Sequence, residues 1–208
     1  MGEPAGASML KLDFVRPVSK PTELTRAGLR LRPPQLADHP QWWALRENSR
    51  HHLTRWEPDW TERDVTIDAF RTRVRLQERL RRSGAALTFF ACLADEGAII
   101  GGVTLSDIRL HAAHSATLGY WIGEPYLRRG YGAEAVAAVV DYGFGELRLN
   151  RIEAACQPGN VASLSLLRKL GFREEGFARD YLFINGAWRD HLLFALTARD
   201  YCGAPLRF

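Results

Sequence analysis

Apolar and polar residues alternate at Leu29-Arg30-Leu31-Arg32, the period of a half-buried strand, and Pro33-Pro34 closes it. Asp38 is placed to cap a helix carrying Trp42, Trp43 and Leu45. Thr61 and Glu62 open a second helix that runs to about Arg82. Asp68, Arg71, Arg75, Glu78, Arg79 and Arg82 share one face of it at helical spacing. Residues 85–93 form a buried-strand pattern, Asp95-Glu96-Gly97 a turn, and residues 98–105 the returning strand. Residues 116–122 predict another strand. Residues 132–146 predict a helix with Val136, Val139 and Val140 on one side, 151–156 a strand, and 163–170 a short helix. Two closing strands, 172–179 and 188–196, flank Asn185-Gly186, a dipeptide suited to a two-residue hairpin turn. The order is β, helices, β-β-β, α, β, α, β-β, with no internal repeat.

Length narrows this pattern to one domain, since 208 residues match the roughly 100–200 residues of a single core. We expect an N-terminal extension over 1–23, the domain over 24–203 and a tail over 204–208. A hydrophobic share of 46% and a charged share of 25% exclude disorder, collagen and coiled coil for the chain as a whole. No apolar run approaches the roughly 18 residues of a membrane span. Residues 1–8 lack the apolar core of a signal peptide. Cys92, Cys156 and Cys202 are odd in number and form no CxxC pair, so neither disulfides nor structural zinc are expected. A reduced, cytoplasmic protein is the expectation. Net charge is +4, and 25 of the 28 cationic side chains are arginine. Guanidinium matches phosphate oxygens in pairs, but GC-rich codon use produces the same bias. On the helix face from Asp68 to Arg82 opposite charges interleave, which suits solvated surface better than a nucleic-acid footprint.

Chemistry concentrates in two segments. In Pro125-Tyr-Leu-Arg-Arg-Gly-Tyr-Gly-Ala-Glu-Ala135 a strand ends, Arg128 and Arg129 follow, and Gly130 and Gly132 open a helix. Glycine admits close backbone approach, and a first helical turn carries unpaired N–H groups and partial positive charge. Together they suit phosphate oxygens, or simply cap a helix. Gly130-x-Gly132-x-x-Ala135 with Glu153 also fits a dinucleotide fingerprint. Against that, six residues separate strand from glycine, and too little chain follows for a doubly wound sheet. In Asn160-Val-Ala-Ser163-Leu-Ser-Leu-Leu-Arg-Lys-Leu170-Gly171-Phe172, either Asn160 or Ser163 can cap a helix whose buried stripe is Leu164, Leu167 and Leu170. His111 and His114 lack a carboxylate or cysteine to complete a metal site, and His51-His52 reads as surface. Trp42, Trp43, Trp56 and Trp60 wall a pocket or fill a core. Cys156, in a strand with no partner histidine nearby in sequence, reads as an inert buried thiol.

In this order the two segments resemble the GNAT superfamily of acetyl-CoA-dependent N-acetyltransferases, within it the RimJ/RimL branch. The tail Glu175-Gly-Phe-Ala-Arg-Asp-Tyr-Leu-Phe-Ile-Asn-Gly-Ala-Trp-Arg-Asp-His191 is most similar to the RimJ side of that branch, and the resemblance covers roughly residues 24–201. It implies an α/β (α+β) fold: one GNAT-like domain with a mixed, largely antiparallel twisted sheet flanked by helices. It implies acetyl-CoA as co-substrate, without a metal. The amides of Arg128, Arg129, Gly130, Tyr131, Gly132 and Ala133 would hold the CoA pyrophosphate. Backbone at Trp121, Ile122 and Gly123 would pair with the pantetheine arm as an added strand does. Asn160 would bond the same arm, and Ser163 stands where a proton donor to the leaving thiolate is expected. Leu127 departs from the family, many of whose members place Gln or Arg there. The partner implied is a protein or peptide N-terminus, a ribosomal protein among them. A small-molecule amine is the alternative acceptor, and an acyl-CoA-binding or ribosome- or RNA-associated factor the alternative outside catalysis.

Direct acyl transfer needs a neutral amine. An α-amino group, with pKa roughly 7.7–8, supplies about a tenth or more neutral form at pH 7, whereas a lysine amine near 10.4 supplies well under a tenth of a per cent. An enzyme acting on N-termini asks less of a base, and the sequence offers only Asp180, His191 and water relayed by Tyr181. Asp190 and His191 read better as a hydrogen-bonded pair at a strand end than as catalytic groups, and Ser163 can equally be a cap alone. A strand amide aimed at the thioester oxygen would stabilise its developing charge.

Overall fold

The computed structural model describes residues 23–58 and 60–201. Among the described residues eight strands share one sheet in the order β1-β2-β3-β4-β5-β6-β8-β7. They are β1 (Leu24–Arg26), β2 (Leu29–Arg32), β3 (Leu87–Leu93), β4 (Ile99–Arg109), β5 (Ser115–Ile122), β6 (Arg151–Cys156), β7 (Arg173–Ile184) and β8 (Ala187–Thr197). Every described pairing is antiparallel except β5 with β6. That mixed, largely antiparallel sheet matches the expected fold class, and it leaves no doubly wound sheet to carry a dinucleotide fingerprint.

Among the described residues five α-helices flank the sheet: α1 (His39–Asn48), α2 (Arg50–Leu53), α3 (Ile67–Ser83), α4 (Tyr131–Gly145) and α5 (Val161–Lys169). Alternation along β3 separates two cores. Phe89 and Ala91 join the larger one with α4 and α5, while Phe90 and Cys92 join Trp42 of α1 and Phe70 of α3 on the other face. Residues 135–140 of α4 are all buried, so this helix is apolar around its circumference rather than on one stripe. Arg26 of β1 ties the outer side of α4 to the sheet through Glu134 at 2.6 Å and Asp141 at 2.8 Å.

Several boundaries differ from the sequence pattern. Strand β1 was not predicted; Ala27 (φ 46°) and Gly28 (φ 76°) turn it back onto β2. The helix expected from Thr61 is broken. Asp64 accepts the Thr61 N–H at 2.7 Å, closing a separate 3-10 turn at Glu62–Val65. Extended Thr66 then caps α3 by accepting the Ala69 N–H at 3.3 Å, and Gly84 (φ 73°) ends it. Strand β4 continues four residues past its predicted end, to Arg109, and His111 (φ 62°) and His114 (φ 41°) occupy the connection to β5. Asn185 (φ 48°) and Gly186 (φ 76°) form the hairpin turn between β7 and β8. Residues 1–22 of the extension expected over 1–23, the tail and Cys202 lie outside the described residues. Among the described residues no helix is long and apolar enough to cross a membrane, and no group of three or more His, Cys, Asp or Glu is arranged to hold a metal ion.

Candidate active site

The site begins where the sheet opens. The parallel ladder of β5 and β6 ends at Thr117 opposite Glu153, so from Leu118 and Ala154 onward the two strands share no register. Each strand leads into a helix, and the N-termini of α4 and α5 flank the opening. A cleft of about 460 Å³ runs between them. Trp121, Ile122, Arg128, Gly130, Tyr131, Gly132, Ala133, Asn160 and Ser163 line it together with His52, Trp56, Glu57, Tyr126 and Lys169. Two expected site residues lie outside this lining. Gly123 is buried, and a Cβ there would run into Leu45 of α1. Arg129 is exposed beside the loop.

At the α4 end, Arg128 (φ 60°) and Gly130 (φ 80°) are both left-handed. A Cβ at Gly130 would meet nothing, so glycine serves the φ angle there and not close approach. At Gly132 a Cβ would sit 3.3 Å from Leu166 and 3.4 Å from Ile122. Among the described residues no side chain caps α4, so its first-turn N–H groups stay available at the cleft. Successive amides in a left-handed turn, a helix start and the Arg128 guanidinium form a donor set suited to a diphosphate.

The α5 end differs. Asn160 Oδ1 accepts the Ser163 N–H at 3.1 Å, which makes Asn160 the cap and leaves the Ser163 hydroxyl for other work. That hydroxyl lies 2.7 Å from the Tyr120 hydroxyl. Burial pushes the Tyr120 phenol well above its ordinary range, against a smaller opposing effect of the Ser163 bond. Tyr120 was not singled out from sequence; its only signal was its place on the same side of β5 as Leu118. Burial also pushes the Cys156 thiol up, consistent with an inert thiol.

The four clustered tryptophans divide. Trp42 and Trp60 are buried in the second core, Trp43 is largely exposed, and Trp56 lines the cleft. Arg46 lies over the Trp60 ring at 4.1 Å and pairs with Glu57 at 2.7 Å. Burial raises the Glu57 carboxyl despite that partner. On α3, Arg71 pairs with Asp68, and Arg81 and Arg82 with Glu78. Asp190 and His191 do not bond each other. Asp190 accepts the Asp180 N–H at 2.9 Å, and His191 Nδ1 bonds the Arg189 carbonyl at 2.9 Å. Asp180 sits exposed in a bulge of β7, whereas His191 is 3% exposed.

Comparison with known proteins adds to this geometry. The acetyltransferase (GNAT) domain family matches residues 28–173. The [ribosomal protein uS5]-alanine N-acetyltransferase of Escherichia coli (strain K12) is 36% identical over 162 residues, covering 76% of this chain and 84% of that protein. RimJ of Mycobacterium smegmatis, solved in complex with CoA-disulfide, superposes with a TM-score of 0.80 at 33% identity, covering 86% of this chain and 87% of that one. The ribosomal-protein-S5-alanine acetyltransferase of Vibrio fischeri gives a TM-score of 0.80 at 31% identity over 86% of this chain and 98% of its own.

Proposed function

Because the chain belongs to the GNAT acetyltransferase family, we propose that it transfers the acetyl group of acetyl-CoA to the α-amino terminus of a protein, with a ribosomal protein as the acceptor. The observation that carries this reading is the single cleft joining an uncapped helix start, a strand edge freed from its ladder and the Ser163–Tyr120 hydroxyl pair. The named activities of the E. coli and Vibrio relatives support the acceptor class.

Acetyl-CoA supplies an activated acyl group, and the chain's residues bind, orient and move protons around it. The amides and side chain of the loop at Arg128, Gly130, Tyr131, Gly132 and Ala133 hold the diphosphate, with Arg129 adding charge at the rim. The Trp121–Ile122 backbone lies past the end of the β5–β6 ladder and offers hydrogen bonds to the amides of the pantetheine arm, while Gly123 spends its N–H on the Ile100 carbonyl and its carbonyl on the Tyr126 N–H. Asn160 spends its Oδ1 on the helix cap and keeps its NH2 to donate to the same arm. Ser163 Oγ–H donates a proton to the departing sulfur and is resupplied by Tyr120 through their 2.7 Å bond. Burial keeps the Tyr120 phenol protonated, as a donor must be.

The deciding experiment is acetylation of an array of N-terminal peptides with acetyl-CoA, read as a mass shift on the first residue. Transfer to the α-amine of ribosomal-protein termini is the expected result. Turnover on free small amines with none on any N-terminal peptide overturns it.

A further inference from the structure

A second cavity, of about 200 Å³, lies behind the cleft. Trp56, Tyr120, Asn160 and Ser163 line both, so the hydroxyl pair stands in the partition between them. The cavity occupies the gap left where the β5–β6 ladder stops. Registers and alternation place its walls. Ala155 is opposite Leu193, and Cys156 opposite Leu192, so His191 belongs with Ala155 and Leu193 on one face, and Cys156 with Leu192 on the other. Along β5, Thr117, Gly119 and Trp121 share the first face, and Leu118 and Tyr120 the second. The gap therefore connects Ser163 and Tyr120, on the α4–α5 side, with His191, on the side of α1 and α3.

We infer that this second cavity receives the acceptor amine and that His191 Nε2 takes its proton. The inference rests on the acetyl-transfer reading above. A carbonyl oxygen only accepts, so the 2.9 Å bond from Nδ1 to the Arg189 carbonyl puts the proton of neutral His191 on Nδ1. Nε2 then carries the lone pair, and it has no hydrogen-bond partner among the described residues. Buried Gln157 Nε2, on the same wall, also lacks one. The other titratable groups of the lining are Tyr120 from β5 and Cys156 from β6, and burial raises both, which disqualifies them as bases near neutral pH. From α5 the cavity sees Asn160, Ser163 and Leu167, none of them charged. From β7, the Tyr181 ring packs at 5.5 Å on the imidazole. Asp190, adjacent in sequence, is held by the Asp180 N–H.

The step balances as follows. An incoming ammonium gives one proton to Nε2, which passes it to solvent. The freed nitrogen pair forms the N–C bond to the acetyl carbon while the C–S bond breaks. Sulfur takes the Ser163 hydroxyl proton, Ser163 takes the Tyr120 proton through their bond, and the second proton lost by nitrogen returns to Tyr120. The products are the amide, the CoA thiol and one solvent proton.

The test uses His191→Gln in the full chain, assayed at saturating acetyl-CoA with whichever amine the wild type acetylates. We expect kcat to fall by about 10² or more, with CoA affinity and melting temperature held. The acid limb of the kcat profile should move up toward the range of the α-ammonium itself, about 8, because water must then remove the proton. A variant whose turnover stays within twofold and whose acid limb does not move overturns the inference. Nitrogen-15 shifts of the wild-type imidazole in the acetyl-CoA complex decide it independently of any acceptor or variant. The Nδ1–H tautomer supports it, and an Nε2–H tautomer overturns it. Transfer to small amines alone, with the shifted limb intact, would remove the protein-terminus reading and leave His191 as the base.

Discussion

The N-termini of α4 and α5 are the same structural object used in opposite ways. Both follow neighbouring strands, and both face one cleft. At α4 the lead-in is left-handed at Arg128 and Gly130, and no side chain covers the first amides. At α5 the Asn160 side chain takes the Ser163 N–H, and Ser163 Oγ faces a phenol. An open helix start binds charge with backbone, which no side-chain rotamer can misplace. A capped start cannot do that, but it holds its third residue rigidly enough to aim a hydroxyl. The difference is one of satisfaction: leaving orphan N–H groups costs stability unless a ligand takes them, and capping returns that stability to the helix that carries Ser163.

The strongest break in this comparison is Gly132→Trp. An indole at this position would enter the cleft beside Leu166 and Ile122, and CoA affinity measured by calorimetry should fall at least a hundredfold, about 2.7 kcal/mol. Unchanged affinity would mean that the open helix start is not the anion site. Next comes the hydroxyl pair. Ser163→Ala should lower kcat by about 10² with CoA affinity nearly unchanged, and Tyr120→Phe should add little on top, because the two act as a unit. Additive losses would separate them.

Alkaline pH sharpens the same point. A proton donor works only while protonated, and burial lifts the Tyr120 phenol above its ordinary value. Turnover should therefore persist through pH 10, the ordinary phenol range, as long as the fold survives. A limb falling at that range would show that Tyr120 is not shielded. Smaller effects test the two starts as scaffolding. Asn160→Ala removes a cap and should cost about 1 kcal/mol in denaturant melts, with kcat falling as Ser163 loosens. Gly130→Ala forces a side chain to φ 80° and should cost about 1 kcal/mol as well. In that case the loss should appear in CoA affinity rather than in kcat.

Strong local signals were readable from sequence. The Asn185-Gly186 turn, the apolar run of α4 and the β-α-β-α order through residues 116–170 all depend on neighbours within a few positions. Weak local signals were not. Strand β1 is three residues long and exists because β2 offers it a ladder. Thr61 and Thr66 are each competent caps, and the Asp64 bond back to Thr61 decided that the second one starts α3. Within the site, the glycine loop and the Asn-x-x-Ser segment stood out by motif. Tyr120 did not, since an aromatic in a strand is ordinary core until its neighbour is known. Gly123 was expected to offer backbone to a ligand, and its missing side chain instead makes room for Leu45.

The sequence by itself determined which segments could be helix starts, which one lacked a capping side chain and which could lend a hydroxyl. These are properties of adjacent residues, set by propensity, capping and the φ angles that glycine allows. Only the tertiary structure decided that the two starts share a cleft and that Tyr120 meets Ser163, 43 positions further along the chain. It also decided that His191, rather than Asp180, lines the cavity where the β5–β6 ladder ends. Those juxtapositions follow from the strand order β5-β6-β8-β7 and from the point at which a parallel ladder ends. Pairing between distant strands sets both, and no local pattern of hydrophobic and polar residues carries that information.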